Sequence, residues 1–208
     1  MPLAPPQIAR LEHFLDRIKG ETYPEFPNEL HEEITVRVRD RVRSFCTLAS
    51  GARVLDVGCG QGVALRHFTE MGVEATGITL NAVDVAECRR LGYNVLEMDQ
   101  SFLDFPDGEF DLVWCRHCLE HSIFPYLTLS EFNRVLKPGG WLYVEVPAPD
   151  TSCQHQTNQN HYSVLGKSML ASLIVRSGFR VVDVADIDFS VPAGPDTYWS
   201  FLQQKILV

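Results

Sequence analysis

The spacing of apolar positions changes near residue 53. Before it, Ile8, Leu11, Phe14, Leu15 and Ile18 recur three and four apart, which predicts an amphipathic helix over residues 7–19 that must dock on something. Gly20 stops it, YPEFPN reads as a loop, and a second helix is expected over about residues 29–48, ended by Ser50 and Gly51. The proline-rich residues 1–6 read as a frayed end. After residue 53, short apolar runs alternate with helical stretches. Strands are expected at RVLDV, EATGITL, YNVLEM, residues 110–115, WLYVEVP, FRVVDVADIDF and residues 198–206. Helices are expected over residues 62–71, at AVDVAECRRL, at LTLSEFNRVL and over residues 165–177, with KPGG as the turn before the fifth strand. Such alternation forces a parallel sheet with right-handed crossovers. The chain therefore reads as one α/β domain, with residues 1–50 a helical cap and residues 51–208 the core.

The stretch RVLDVGCGQG, residues 53–62, organises that core. Its strand carries an acid, Asp56, and runs into glycines at alternate positions, Gly58, Gly60 and Gly62, ahead of a helix. Strand, glycine bend and helix N-terminus together let backbone N–H groups approach a nucleotide-like ligand. Glycine is required there because a Cβ would clash with the ligand or resist a positive φ. The dinucleotide fingerprint G-x-G-x-x-G needs glycine at position 63, where this chain has Val63. Asp56 would also repel a pyrophosphate. A cationic ligand reverses that sign.

Composition narrows the partners. The 208 residues carry a net charge of −9, with a pI near 5.2 and no basic stripe, which argues against nucleic acid or an anionic membrane. A chain of this length buries about 70% of its unfolded surface, so its core needs no staples. The cationic run VRVRDRVR reads as a solvated helix face. Six cysteines, at positions 46, 59, 88, 115, 118 and 153, follow no extracellular framework, and MPLAPPQIARLE lacks the apolar run of a secretory leader. A reducing, cytoplasmic setting is expected, and no stretch of 18 apolar residues suggests a membrane span.

Ligands of open parallel sheets bind beyond the carboxyl ends of the strands, and polar residues collect there in this sequence. Asp56 and the glycines end the first strand, Asp99 and Gln100 follow the third, and Arg116, His117, Glu120 and His121 follow the fourth. His155, His161 and Tyr162 lie in the polar loop after the fifth.

VLDVGCGQG resembles motif I of the class I S-adenosylmethionine (SAM)-dependent methyltransferases. MDQSFLDFPDGEFDLVWCRHCLEH, from Met98 to His121, resembles the same family's adenine-binding and fourth-strand motifs, and KPGG with WLYVEVP matches its turn before strand five. The resemblance runs from about Arg53 to the C-terminus. It implies a Rossmann-like, doubly wound sheet of seven mostly parallel strands, with helices on both faces and an antiparallel last strand. The sulfonium and ammonium of SAM suit an acidic glycine pocket better than NAD does. By the same resemblance, the Gly58 and Gly60 carbonyls hold the methionine ammonium with support from Asp56. Gly62 belongs to the bend, and Arg116 or its backbone faces the methionine end. Asp99 accepts from the adenine amino group, the backbone N–H of Gln100 donates to the ring, and Leu80 and Ser101 complete the cofactor set. One position departs from the pattern. Where the family usually offers a ribose-binding acid, this chain has Thr79, as do sequences resembling the cyclopropane fatty acid and sterol methylating groups. A hydroxyl binds more weakly than a carboxylate there, and Asn81 is a candidate for the missing acceptor.

Methyl transfer is an in-line displacement governed by alignment and exclusion of water. A base is needed only when the acceptor must lose a proton, and histidine suits that role. His161, His121 and His117 are the candidates, with His155 nearby. His117 and His121, four apart, would face the same way at a helix start. His117, Glu120 and His121 also resemble an acid and histidine cluster of ubiquinone-pathway O-methyltransferases, where a metal would polarise a catechol-like hydroxyl. Many family members carry LEH without a metal, so none is assigned. The CRHC pair Cys115 and Cys118 reads as packing. The expectation is a methyltransferase acting on a small molecule, preferably at oxygen, with S-adenosylhomocysteine as product. Its rivals are a SAM-binding scaffold without turnover and an NAD-type dehydrogenase, the latter disfavoured by Val63 and Asp56.

Overall fold

A computed structural model describes residues 2–24 and 26–206 of the chain; Met1 of the expected frayed end and Glu25 of the YPEFPN loop lie outside the described residues. Helices α1 (Pro5–Gly20) and α2 (Glu29–Arg43) precede the sheet. The core then runs β1 (Arg53–Val57), α3 (Val63–Glu70), β2 (Glu74–Thr79), α4 (Ala82–Arg90), β3 (Asn94–Glu97), β4 (Phe110–Arg116), α5 (Pro125–Val135), β5 (Leu136–Pro147), α6 (Lys167–Arg176), β6 (Phe179–Val191) and β7 (Gly194–Lys205). The seven strands lie in the order β3-β2-β1-β4-β5-β7-β6. β1 to β5 are parallel, and β7 runs antiparallel to both β5 and β6. Strand order reverses at β1 and β4, so their carboxyl ends open a crevice between them.

Alternation along the strands sorts side chains to two faces. Leu55, Val57, Val113, Leu142 and Val144 meet Leu129 and Phe132 of α5 and Leu170 and Ile174 of α6. Val54, Leu112, Trp114 and Tyr143 meet Ile34, Val38 and Val42 of α2 and Ala64 and Phe68 of α3. The α2 helix is therefore part of the core packing, while α1 buries no residue. Two arginines of the cationic run are engaged rather than solvated, a correction to the sequence reading. Arg41 donates to Asp183 of β6 at 2.8 Å through Nε, and Arg39 to Asp40 at 2.9 Å. Only the sheet brings Asp183 to that helix.

Element ends differ from expectation for local reasons. Pro5 and Pro6 open α1 rather than fraying, because a residue at the start of a helix has no intrahelical use for an N–H. The α2 helix stops at Arg43 instead of continuing to residue 48, and Cys46 turns into the core. KPGG is carried inside β5 as a bulge: Phe110 pairs with Leu136 but Leu112 with Trp141, and Gly139 adopts φ +74°. β7 begins at Gly194, ahead of the expected residue 198.

Candidate active site

The glycine bend has the backbone expected of it. Gly58, Gly60 and Gly62 adopt φ of +70°, +48° and +87°, values costly for any residue with a Cβ. A Cβ on Gly58 would come within 2.6 Å of the Cys118 side chain, so the bend is pressed against the end of β4. Gly62 is the residue before α3 and lines neither cavity, so its part is to shape the turn. Asp56 is buried, and its Oδ2 has no hydrogen-bond partner. Burial pushes its carboxyl up to about 7, against the opposing pull of Arg116. A buried carboxylate oxygen of this kind fits an ammonium, the group the resemblance implies for the bend.

Two cavities meet at Gly58, Gly60 and His117. The larger, about 930 Å³ measured out to its open mouth, is lined by Ile78, Thr79, Leu80, Asn81, Met98, Asp99, Gln100, Ser101, His117 and His121, and is roofed by Leu15, Ile18 and Tyr23. It thus gathers the predicted Thr79, Leu80, Asn81, Asp99, Gln100 and Ser101 on one wall. Asp99 accepts from Ser101 N at 2.7 Å, and the Ser101 hydroxyl is tied to Thr128 at 2.8 Å. Gln100 donates from Nε2 to the Cys118 carbonyl at 2.8 Å, which locks the β3 and β4 ends together. Asn81 Oδ1 is already used, capping α4 by accepting from Val83 N at 3.0 Å and Asp84 N at 3.4 Å. The smaller cavity, about 540 Å³, holds Asp56, Arg116, His117, His31 and Thr35. Arg116 therefore stands at the Asp56 side, apart from the Asp99 wall.

A residue outside the predicted set fixes Arg116 and His117. Glu145 of β5, the strand neighbour of Arg116, is completely buried and accepts from Arg116 Nε at 2.8 Å, His117 Nε2 at 2.9 Å and the Tyr143 hydroxyl at 2.6 Å. Burial would raise its carboxyl, but Arg116 and the His117 hydrogen bond outweigh that and hold it at about 2. His117 takes φ +49° and stacks on His31 with ring centres 6.0 Å apart.

His121 takes a different direction. Between it and His117 lies a single 3-10 turn, Leu119–His121, and not the expected helix start. His121 Nδ1 bonds the Asn160 carbonyl at 2.9 Å, and its ring meets His161 edge-on at 4.7 Å. Because that carbonyl can only accept, Nδ1 carries the hydrogen and Nε2 the lone pair. Burial lowers the His121 pKa, the Asn160 bond opposing it, while burial and His121 bring His161 down to about 4. His161 lines neither cavity, though Asn160 and Tyr162 line the larger one. Ligand atoms of Glu120, His121 and His161 come within 4.8 Å of one another, whereas His117 is not in that group: its Nε2 goes to Glu145 and its Nδ1 lies 3.8 Å from Glu120. Cys115 lies in the core with Cys118 packed against it.

A methyltransferase-domain family model matches residues 30–184, beginning inside α2. The chain belongs to the SAM-dependent methyltransferases. Among curated relatives, this chain is similar to the 27-O-demethylrifamycin SV methyltransferase of Amycolatopsis mediterranei, 34% identical over 152 residues covering 65% of this chain and 56% of that protein. It is also similar to the ubiquinone biosynthesis O-methyltransferase of Nitrosococcus oceani, 29% identical over 150 residues covering 67% of this chain and 60% of that protein. The chain thus spans little more than half the length of these relatives. Its fold matches the crystal structure of the [4+2]-cyclase SpnF along 100% of this chain and 99% of that one, with a TM-score of 0.71 at 22% identity.

Two residues of the candidate site escaped the sequence reading. Asp84 of α4 is buried and lines the larger cavity beside Thr79 and Gly60, with Gln61 Nε2 donating to it at 3.2 Å. It is a carboxylate lining the same cavity as Thr79. The available signal was an acid in the first turn of a helix that starts just after a strand end. For Glu145 the signal was an acid inside the apolar strand WLYVEVP.

Proposed function

We propose that this methyltransferase transfers a methyl group from SAM to an oxygen of a small molecule, with adenosine in the larger cavity and the methionine end toward Asp56. The unpartnered buried oxygen of Asp56 carries this reading, since a cationic amino group is the ligand that relieves it. When bound, SAM supplies an electrophilic methyl on a sulfonium. Asp99 and the Gln100 backbone take the adenine, and Thr79 and Asp84 the ribose edge. The roof of Leu15, Ile18 and Tyr23 excludes water, which matters for a displacement in which charge disperses. His121 is assigned as the base: it lines the cleft, is neutral at pH 7, and keeps Nε2 unprotonated through its bond to Asn160. His161, behind it, is a positioning neighbour of that ring. The printed names of the rifamycin and ubiquinone relatives support oxygen as the acceptor atom. Six cysteines, none in a disulfide, support a reducing, cytoplasmic setting, and among the described residues no helix is long and apolar enough to cross a membrane.

The test is S-adenosylhomocysteine release against a panel of phenols, alcohols, carboxylic acids and amines, run with wild type and His121→Gln. Turnover with a hydroxyl acceptor should fall by about 100-fold or more in the variant, with S-adenosylhomocysteine affinity unchanged. Turnover confined to amines would remove the oxygen assignment, and an unaffected His121→Gln would remove the base.

A further inference from the structure

Three metal-ligating side chains converge outside both cavities. Cys153 and His155 come from the loop after β5 and Asp196 from β7, and one ligand atom of each lies within 4.8 Å of the others. Burial alternates along the loop: Cys153 and His155 are half-buried while Ser152, Gln154 and Gln156 are exposed, which turns the two ligand-type residues inward together. Gln154 between them takes the left-handed conformation at φ +49°, ψ +49°. Asp196, buried, is oriented before any ion arrives. Its Oδ1 accepts from Thr197 N at 2.9 Å and its Oδ2 from His155 Nε2 at 2.9 Å.

We propose that Cys153, His155 and Asp196 form a binding site for a zinc-class divalent ion that clamps the β5–α6 loop to the sheet. The ligand chemistry selects the ion. A thiolate, an imidazole and a carboxylate suit Zn²⁺ or Co²⁺, whereas Mg²⁺ and Ca²⁺ prefer all-oxygen sets. Thiolate and carboxylate supply two negative charges against the ion's two positive ones, the thiol proton leaves to solvent, and the imidazole binds neutral. Three protein ligands leave a fourth tetrahedral position for water or a substrate atom. The site binds two segments that backbone hydrogen bonds have already aligned, Ala148 N donating to the Thr197 carbonyl at 2.9 Å and Ser152 N to that of Pro195 at 3.2 Å. The same loop continues to Asn160 and Tyr162 on the cleft wall, and the His155 ring lies 6.0 Å from that of His161. The clamp would therefore order one wall of the cleft without touching the cofactor.

The experiment is a titration of chelator-treated, full-length protein with Co²⁺, followed by displacement with Zn²⁺. Wild type should bind one Co²⁺ per chain with a near-ultraviolet thiolate-to-cobalt band and strong visible bands of tetrahedral geometry, and Zn²⁺ should erase both. Cys153→Ser should lose the thiolate band, and Asp196→Asn should weaken binding by at least about tenfold. His161→Ala should keep the band, which separates this site from the Glu120, His121 and His161 group. Zn²⁺ should also slow proteolysis within residues 150–162. Unchanged S-adenosylhomocysteine affinity in Cys153→Ser shows that the variant is folded; if it is not folded, Asp196→Asn carries the test. A wild type without the thiolate band, a band that survives Cys153→Ser, or proteolysis indifferent to Zn²⁺ overturns the proposal. None of these outcomes depends on methyl transfer, so failure here is distinct from failure of the functional reading.

Discussion

Asp56 at the end of β1 and Glu145 near the end of β5 flank the same strand, β4, and are both withdrawn from water, yet their chemistry is opposite. Glu145 is matched by a guanidinium, an imidazole and a phenol, and stays ionised down to about pH 2. Asp56 keeps an oxygen without a partner, and burial pushes its carboxyl up to about 7. The register decides this: Arg116 lies directly across from Glu145, whereas the β4 residue across from Asp56 is Trp114. A buried acid with all its partners holds the framework. One left short of a partner is, on the proposed reading, open to a cationic ligand.

The largest effect should come from the satisfied acid. Glu145→Ala strands Arg116 in the interior and should cost about 3–5 kcal/mol of stability in urea unfolding; a loss under about 1 kcal/mol, the scale of an exposed pair, would erase the contrast. Because its folded pKa is depressed, the Glu145 contribution is present above about pH 4.5 and is lost as the pH falls toward 2. Next is Asp56→Asn, which should weaken S-adenosylhomocysteine binding in calorimetry by about 10- to 100-fold, the scale of one hydrogen bond to a charged group. The same substitution should raise the unliganded Tm at pH 8. Here the sign reverses: the raised pKa makes the apo protein favour the protonated acid, a contribution full below about 3.8 and lost as pH rises through about 7. Cofactor affinity should accordingly increase with pH up to about 7 and then level off, and a flat profile would detach Asp56 from the ammonium.

Asp99→Ala sharpens the comparison on the adenosine wall, where an affinity loss of about 1–3 kcal/mol is expected. Unchanged affinity would remove Asp99 from the adenine role. The smallest effect belongs to the roof. The Tyr162 hydroxyl donates to Glu21 at 2.7 Å across a half-exposed seam, so Tyr162→Phe should change stability by less than about 1 kcal/mol. A larger change in thermal unfolding would make that seam part of the framework.

The sequence alone determined the strand and helix alternation, the glycine bend with its positive φ angles, and the clustering of Asp56, Asp99 and Gln100 at strand ends, because each is written in local spacing and backbone freedom. The antiparallel placement of the last strand was also legible, through the resemblance to a family. Which way each histidine turns was decided by tertiary structure. His117 and His121 sit four apart in sequence but go to different partners, one to Glu145 on β5 and the other to the Asn160 carbonyl beyond it. The engagement of Arg41 with Asp183 and the place of the Asp84 carboxylate on the larger cavity also required the folded sheet. The physical reason is range: periodicity and glycine act over a few residues, whereas a buried charge is assigned its role by whichever strand the topology lays beside it.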